Sequence, residues 1–220
     1  MGRDASLRDQ QAPKSVPEQA VNATGEPIAG PAEVVLVRHG STEWSTTGRH
    51  TGRTDVPLDE SGREQAARLA ARLEPDRFAQ VYSSPLRRAF ETCRLAGLGK
   101  EVEILDDLAE WDYGDFEGRT TASIRTEWPG WQLFRDGCPN GEAAEDVGRR
   151  ADRVIARLES DPPVQGCSVV LFAHGHLLRV LAARWLGLPS TDGRLLTLTP
   201  ASVSELGYER EVRVIDQWNT

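Results

Sequence analysis

The chain has 220 residues, a formal net charge of −8 and 39% apolar residues. That length suits one compact domain with a sizeable core. The negative balance argues against non-specific binding to nucleic acid or to an anionic membrane, so an anionic ligand would need a local positive site.

Residues 1–31 are polar, rich in Pro, Gly, Gln and Ala, and without hydrophobic periodicity; they predict a disordered tail preceding a domain over 32–220. Val34 to Val37 is a continuous apolar run that suits a buried parallel strand. Residues 38–60 form a long polar loop, and a loop of that length inside a domain is usually functional. Gly62 to Leu73 predicts a helix with Ala66, Leu69, Ala70 and Leu73 on one face. Phe78 to Tyr82 predicts a second strand. Ser84-Pro85 then reads as the start of a helix, Ser as N-cap and Pro at the first helical position. Val102 to Leu105 predicts a third strand. The Trp-rich stretch 106–140 is irregular with a short helix near 120–127, and Ala143 to Leu158 is an amphipathic helix. A buried strand at Ser168–Phe172 and a helix at Leu177–Leu186 follow. Leu195–Leu198, Val203–Tyr208 and Val212–Ile215 read as closing strands, partly antiparallel. This alternation predicts an α/β fold, a three-layer α/β/α sandwich around a mostly parallel sheet. The closing strands would leave an edge at which a homodimer can form.

Three well-separated cysteines, Cys93, Cys138 and Cys167, make neither a disulfide framework nor a zinc knuckle, which points to a reducing compartment. Cys138 reads as structural, since no His is tied to it. No basic region followed by an apolar run opens the chain, and no stretch approaches the ~18 apolar residues of a membrane helix. A cytoplasmic protein is expected.

In an open sheet of this kind, ligands bind beyond the carboxyl ends of the strands. The first strand runs into Arg38-His39-Gly40 and the Ser168–Phe172 strand into His174-Gly175-His176, so three of the four His fall at one sheet edge. The glycines, Gly175 among them, let backbone N–H groups approach an anion closely. Zinc is disfavoured, because His174 and His176 lie two apart with no Cys pair beside them. Arg88 could reach the same edge and grip a phosphate bidentately, whereas Arg87 reads as solvated. Glu110 is a candidate to protonate a leaving alkoxide, with Asp106, Asp107, Asp112 and Asp115 competing on spacing alone. Arg49, His50 and Arg53 could contact a second phosphate, and Arg179 is a more distant candidate for the same task. Any of Trp44, Trp111, Trp128 and Trp131 could line the pocket.

These residues carry a family likeness. LVRHGSTEW (36–44) resembles the signature of the histidine phosphatase superfamily, the phosphoglycerate mutase-like fold. GRTDVPL (52–58), GREQA (62–66), SSPLRRA (83–89), EWDYGDFEG (110–118) and FAHGH (172–176) resemble its further motifs in order. The resemblance implies a nucleophilic His39 passing through a phosphohistidine, with Arg38 and Arg88 clamping the phosphoryl oxygens. It further implies that His174 stabilises the transferring group, that Glu110 acts as general acid and then base, and that Thr51 and Gly52 offer loop donors. No cofactor or metal is implied, and the ligand would be a small phosphorylated metabolite. Ser45 stands where the signature usually carries Asn and would bond a phosphate oxygen with shorter reach. Ser45 and the insert WQLFRDGCPNGE (131–142) look similar to a subgroup with sedoheptulose bisphosphatase-like and mycobacterial acid phosphatase-like members, which suggests sugar phosphates.

The charge logic agrees. Flanking Arg38 should hold His39 neutral and nucleophilic. The arginines favour the carboxylate of Glu110 while a bound phosphate dianion pushes back toward the acid, so an acid-shifted turnover optimum is expected. Two other functions are open. A phosphoglycerate mutase-type phosphotransferase would use the same residues, but few residues follow Trp218 to close a lid over the site. A non-catalytic phospho-ligand binding module is disfavoured by the intact set of Arg38, His39, Arg88, Glu110 and His174.

Overall fold

A computed structural model describes residues 30–220. The expected tail lies outside them except for Gly30 and Pro31, which belong to the domain: Gly30 N–H donates to Gln165 Oε1 at 2.7 Å and Gly30 O accepts from Gly166 N–H at 2.8 Å. In chain order the elements are β1 (Glu33–Arg38), α1 (Glu43–Thr46), α2 (Glu60–Arg68), β2 (Phe78–Ser83), α3 (Arg87–Leu95), β3 (Val102–Ile104), α4 (Thr121–Glu127), α5 (Leu133–Asp136), α6 (Ala144–Ser160), β4 (Ser168–Ala173), α7 (Gly175–Trp185), β5 (Val203–Glu209) and β6 (Val212–Gln217).

The six strands form one sheet in the order β3-β2-β4-β1-β5-β6. The first four run parallel, and β5 and β6 close the sheet antiparallel. Side-chain alternation in β1 and β4 splits the core in two. Val34, Leu36, Val169 and Leu171 face α6 and α7, while Val35, Val37, Val170 and Phe172 face the layer holding Leu69, Leu73 and Cys93. This is the three-layer α/β/α sandwich expected from the sequence. No helix among the described residues is long and apolar enough to cross a membrane.

Three of the departures from the sequence reading bear on the site. Asp59 begins α2 two residues earlier than expected, its carboxylate accepting from Gly62 N–H at 2.6 Å and from Ser41 Oγ at 2.7 Å. Ser84 is not the cap of α3, which starts at Arg87 with Leu86 at the cap; the Ser84 hydroxyl bonds His174 and accepts from Leu86 N–H, while Asp55 accepts from Arg87 N–H at 2.8 Å. Leu195–Leu198 is not a strand. β5 already occupies that side of β1, so this segment is a 3-10 turn running into extended backbone, with the Leu198 carbonyl accepting from the Arg38 guanidinium.

The register of the central strands builds the site. Arg38 is paired with Ala173, and His39 N–H donates to Ala173 O at 3.0 Å, so β1 and β4 end level and His39 and His174 emerge side by side. Ser83 pairs with Phe172 and Ser84 N–H donates to Phe172 O at 2.9 Å, which sets Ser84 beside His174. Gly40 permits the chain to leave β1 against α2: a side chain there would place a Cβ 2.3 Å from the Gly62 carbonyl oxygen.

Candidate active site

His39 and His174 lie edge to face with ring centroids 5.1 Å apart, both buried. His39 Nδ1 is 2.7 Å from the Gly40 carbonyl. A carbonyl only accepts, so Nδ1 carries the proton and Nε2 keeps its lone pair. His174 Nε2 is 2.7 Å from Ser84 Oγ, which also accepts from Leu86 N–H. Ser84 Oγ has no other acceptor for its own proton among the described residues, so it donates to His174 Nε2 and the His174 proton goes to Nδ1.

Arg88 is fully buried and spans the loop 51–54, donating to the carbonyls of Thr51, Gly52 and Thr54 at 3.0–3.1 Å. Arg38 donates to Leu198 O. Burial lowers the pKa of both guanidiniums, with Glu110 opposing that shift. Arg38 Nε, Arg88 Nε and His174 Nδ1 are buried donors without a hydrogen-bond partner. Buried donors are expensive to leave unpaired, on the order of 1–3 kcal/mol each. The charges of Arg38 and Arg88 act on His39 and the His174 ring lies 5.1 Å from it, a setting that suits a tetrahedral oxyanion.

Glu110 sits at the start of α7. Its oxygens accept from the backbone N–H groups of Trp111 (2.8 Å), Leu177 (2.9 Å) and His176 (3.1 Å). Arg150 anchors the segment that carries it. Its guanidinium donates to the carbonyls of Asp107, Ala109 and Glu110 and to both carboxylate oxygens of Glu142. Glu142 in turn accepts from Asp112 N–H and, through its carbonyl, from Trp111 Nε1.

A cavity of about 270 Å³ opens on His39 and is lined by Arg38, Glu110 and Gly175 together with Ser45, Arg49, His50, Thr51, Tyr113, His176 and Arg179. The sequence-derived candidates are thus divided. Ser45, His50, Thr51 and Gly175 line this cavity with the catalytic candidates. Ser45 Oγ is locally committed, donating to Thr42 O and accepting from Thr42 N–H. Gly52 and Arg53 line a neighbouring cleft: the Gly52 N–H is bonded to Glu117, and Arg53 pairs with Asp112 at 2.6 Å. None of Trp44, Trp111, Trp128 and Trp131 lines the His39 cavity; Trp111 and Trp131 are core residues. Two residues that the sequence reading passed over are Tyr113 and Ser84. Tyr113 Oη lies 2.5 Å from His176 Nδ1. Neither pairing has a sequence signal, because each depends on which strands are neighbours.

All four histidines of the chain have depressed pKa values. Desolvation is the largest cause for His39, His174 and His176, with nearby arginines adding to it, and burial brings His50 to about 4. They are neutral in the folded protein at pH 7. Below pH 6.5 the unfolded chain takes up protons at these positions and the folded chain does not. Stability is therefore full above pH 6.5 and falls as pH drops, by about 1.4 kcal/mol per pH unit for each histidine. Urea unfolding at pH 7 and pH 5 should show a midpoint lower at pH 5 by on the order of 2 M; an unchanged midpoint contradicts the neutral assignment.

A family model described as "Histidine phosphatase superfamily (branch 1)" matches residues 34–220. An acid phosphatase of Mycobacterium tuberculosis is 42% identical over 184 residues, covering 82% of this chain and 88% of the relative. A sedoheptulose 1,7-bisphosphatase of Saccharomyces cerevisiae is 38% identical, covering 70% and 67%. Among solved structures, a mycobacterial glucosyl-3-phosphoglycerate phosphatase bound to VO3 superposes with a TM-score of 0.76 at 32% identity, covering 86% of this chain and 99% of the other. With the motif order and the strand-end geometry above, these similarities are decisive: the chain belongs to the histidine phosphatase superfamily, branch 1.

Proposed function

We propose that this protein, a phosphatase by its family and its relatives, hydrolyses a small phosphomonoester of the sugar phosphate kind without a metal, through a phosphohistidine on His39. The observation that carries the reading is the set of three unpaired buried donors, Arg38 Nε, Arg88 Nε and His174 Nδ1, on residues that neighbour His39, whose Nε2 is free.

The donors hold the phosphoryl oxygens. His39 Nε2 attacks phosphorus in line with the ester oxygen, and the P–O bond to the alcohol breaks. Positive charge that builds on the ring is met by the Gly40 carbonyl at Nδ1. Glu110, as the acid, gives its proton to the departing alkoxide. The resulting carboxylate then takes a proton from water as that water attacks the phosphohistidine, which releases phosphate and restores neutral His39. A cavity of about 270 Å³ admits a metabolite and not a folded partner.

The proton-donor role has a specific signature. Glu110→Gln should slow release from alkyl phosphates by ~10²–10⁴, and slow p-nitrophenyl phosphate far less, since that leaving group needs no proton. Equal losses on both esters contradict the assignment. Phosphate release that persists in EDTA across a panel of sugar phosphates is expected; loss of activity in EDTA overturns the metal-free mechanism. Isomerisation of 3- to 2-phosphoglycerate faster than phosphate release would make the protein a mutase instead.

A further inference from the structure

We propose that Glu117 is a positioning residue for the phosphoryl clamp: its carboxylate holds the loop 51–54 against the Arg88 guanidinium and so fixes the direction in which Arg88 meets the phosphate. The inference rests on the phosphomonoesterase reading above.

The bonds of the loop carry it. Glu117 Oε1 accepts from the N–H groups of Gly52 at 2.9 Å and Thr54 at 3.1 Å, and its Oε2 accepts from Gly52 N–H at 3.0 Å. Arg88 donates through Nη2 to the carbonyls of Thr51 and Gly52 and through Nη1 to that of Thr54. The Thr51–Gly52 peptide unit is therefore gripped at both ends, its N–H by an anion and its C=O by a cation. The N–H and C=O of a trans peptide point in opposite directions, so the two charged groups face each other across the loop with the peptide dipole aligned between them. Charge-assisted bonds of this kind are roughly twice as strong as neutral ones.

That arrangement decides where Arg88 points. A guanidinium is planar and holds its N–H donors in a rigid fork. The bonds at Nη1 and Nη2 set the plane, and the plane sets the direction of Nε, the buried donor without a partner. Arg53, Thr54 and Asp55 are exposed, so polar bonds rather than packing hold the outer half of the loop. The Gly52 N–H, which the family resemblance would offer to the ligand, is spent on Glu117 instead. The approach is close: a side chain at Gly52 would place a Cβ 2.7 Å from Glu117 Oε2 and 2.5 Å from Trp111 O.

Glu117 is itself anchored by backbone. It ends the acidic segment that carries Glu110, and its N–H donates to Gly114 O at 3.1 Å. Beside it, Gly118 N–H donates to His50 O at 2.8 Å and His50 N–H donates to Arg119 O at 2.9 Å. Those bonds keep the segment next to the loop whatever side chain stands at 117, so a variant there should fold.

The test is a double-mutant cycle on kcat/KM with wild type, Glu117→Ala, Arg88→Lys and the double variant. R88K keeps the charge and loses the fork. E117A should lower kcat/KM by roughly 10- to 100-fold. Added to R88K, it should cost no more than about twofold further, because no fork is left to aim. Glu117→Gln keeps one acceptor oxygen for the two N–H groups and should recover part of the loss. The loss should be equal on a sugar phosphate and on p-nitrophenyl phosphate, since the clamp meets the same phosphoryl group in both. Wild-type kcat/KM in E117A overturns the proposal, as does the same loss in the R88K background as in wild type. A loss confined to the sugar phosphate would mean a displaced Glu110 and overturns it too. Should E117A fail to fold, the same cycle with E117Q, expected to lose several-fold, decides the question. Failure of the underlying reading looks different: a His39→Ala protein that still hydrolyses both esters removes the phosphatase mechanism whatever Glu117 does.

Discussion

Replacing His39 by alanine should lower phosphate release by ~10⁴-fold or more, because the covalent step has no other nucleophile. His174, the other imidazole at the phosphoryl site, has its Nε2 committed to Ser84 and offers a donor rather than a lone pair at Nδ1. The variant should nevertheless fold. His39 makes one side-chain hydrogen bond, to the carbonyl of its neighbour Gly40, and the β1–β4 register is set by backbone bonds on either side. H39A should also be less acid-sensitive than wild type, since one of the histidines that resists protonation in the fold is gone. An inactive and unfolded H39A would say nothing about chemistry, so circular dichroism accompanies the assay. A folded H39A with full activity removes His39 from the mechanism.

Arg88→Ala should damage both activity and stability. Its guanidinium draws Thr51, Gly52 and Thr54 onto the top of α3, beside the Arg87 N–H bond to Asp55. Truncation leaves the Thr51 and Gly52 carbonyls without a donor and opens a buried void, a cost of roughly 3–5 kcal/mol, or a Tm drop on the order of 10 °C for a chain of this size. Loss of one arm of the clamp should reduce turnover by ~10³-fold through lost charge stabilisation. Inorganic phosphate separates the two roles. It should raise the Tm of wild type by binding the folded state alone, and raise that of R88A much less at the same concentration. An R88A protein with wild-type turnover, or with an equal response to phosphate, contradicts the clamp.

The fold was legible in the sequence where burial is two-sided. The runs VVLV in β1 and SVVLFA in β4 suit buried parallel strands, and their endings placed His39 and His174 at one sheet edge before any register was known. Less legible were features decided by strand order. Ser84 looks like an N-cap from its neighbour Pro85, yet β2 lies beside β4 and its hydroxyl goes to His174. Leu195–Leu198 has a strand's apolarity, but the sheet position it would need is filled by β5. The candidate site shows the same division. The motifs pointed to Arg38, Arg88 and Glu110, whereas the partners that fix them, Leu198 O, the 51–54 carbonyls and Arg150, come from distant segments with no local pattern. The substrate-side candidates separated by contact: Arg53 found Asp112, while Arg49 and Arg179 kept the cavity.

The central claim is the covalent step on His39. Rapid acid-free quenching of the enzyme with a ³²P-labelled sugar phosphate, followed by peptide mapping, tests it directly. The account predicts a burst of label approaching one per chain, labile in acid and stable in base, on the peptide that carries His39, and absent from H39A. Steady phosphate release with no label on any histidine would contradict it.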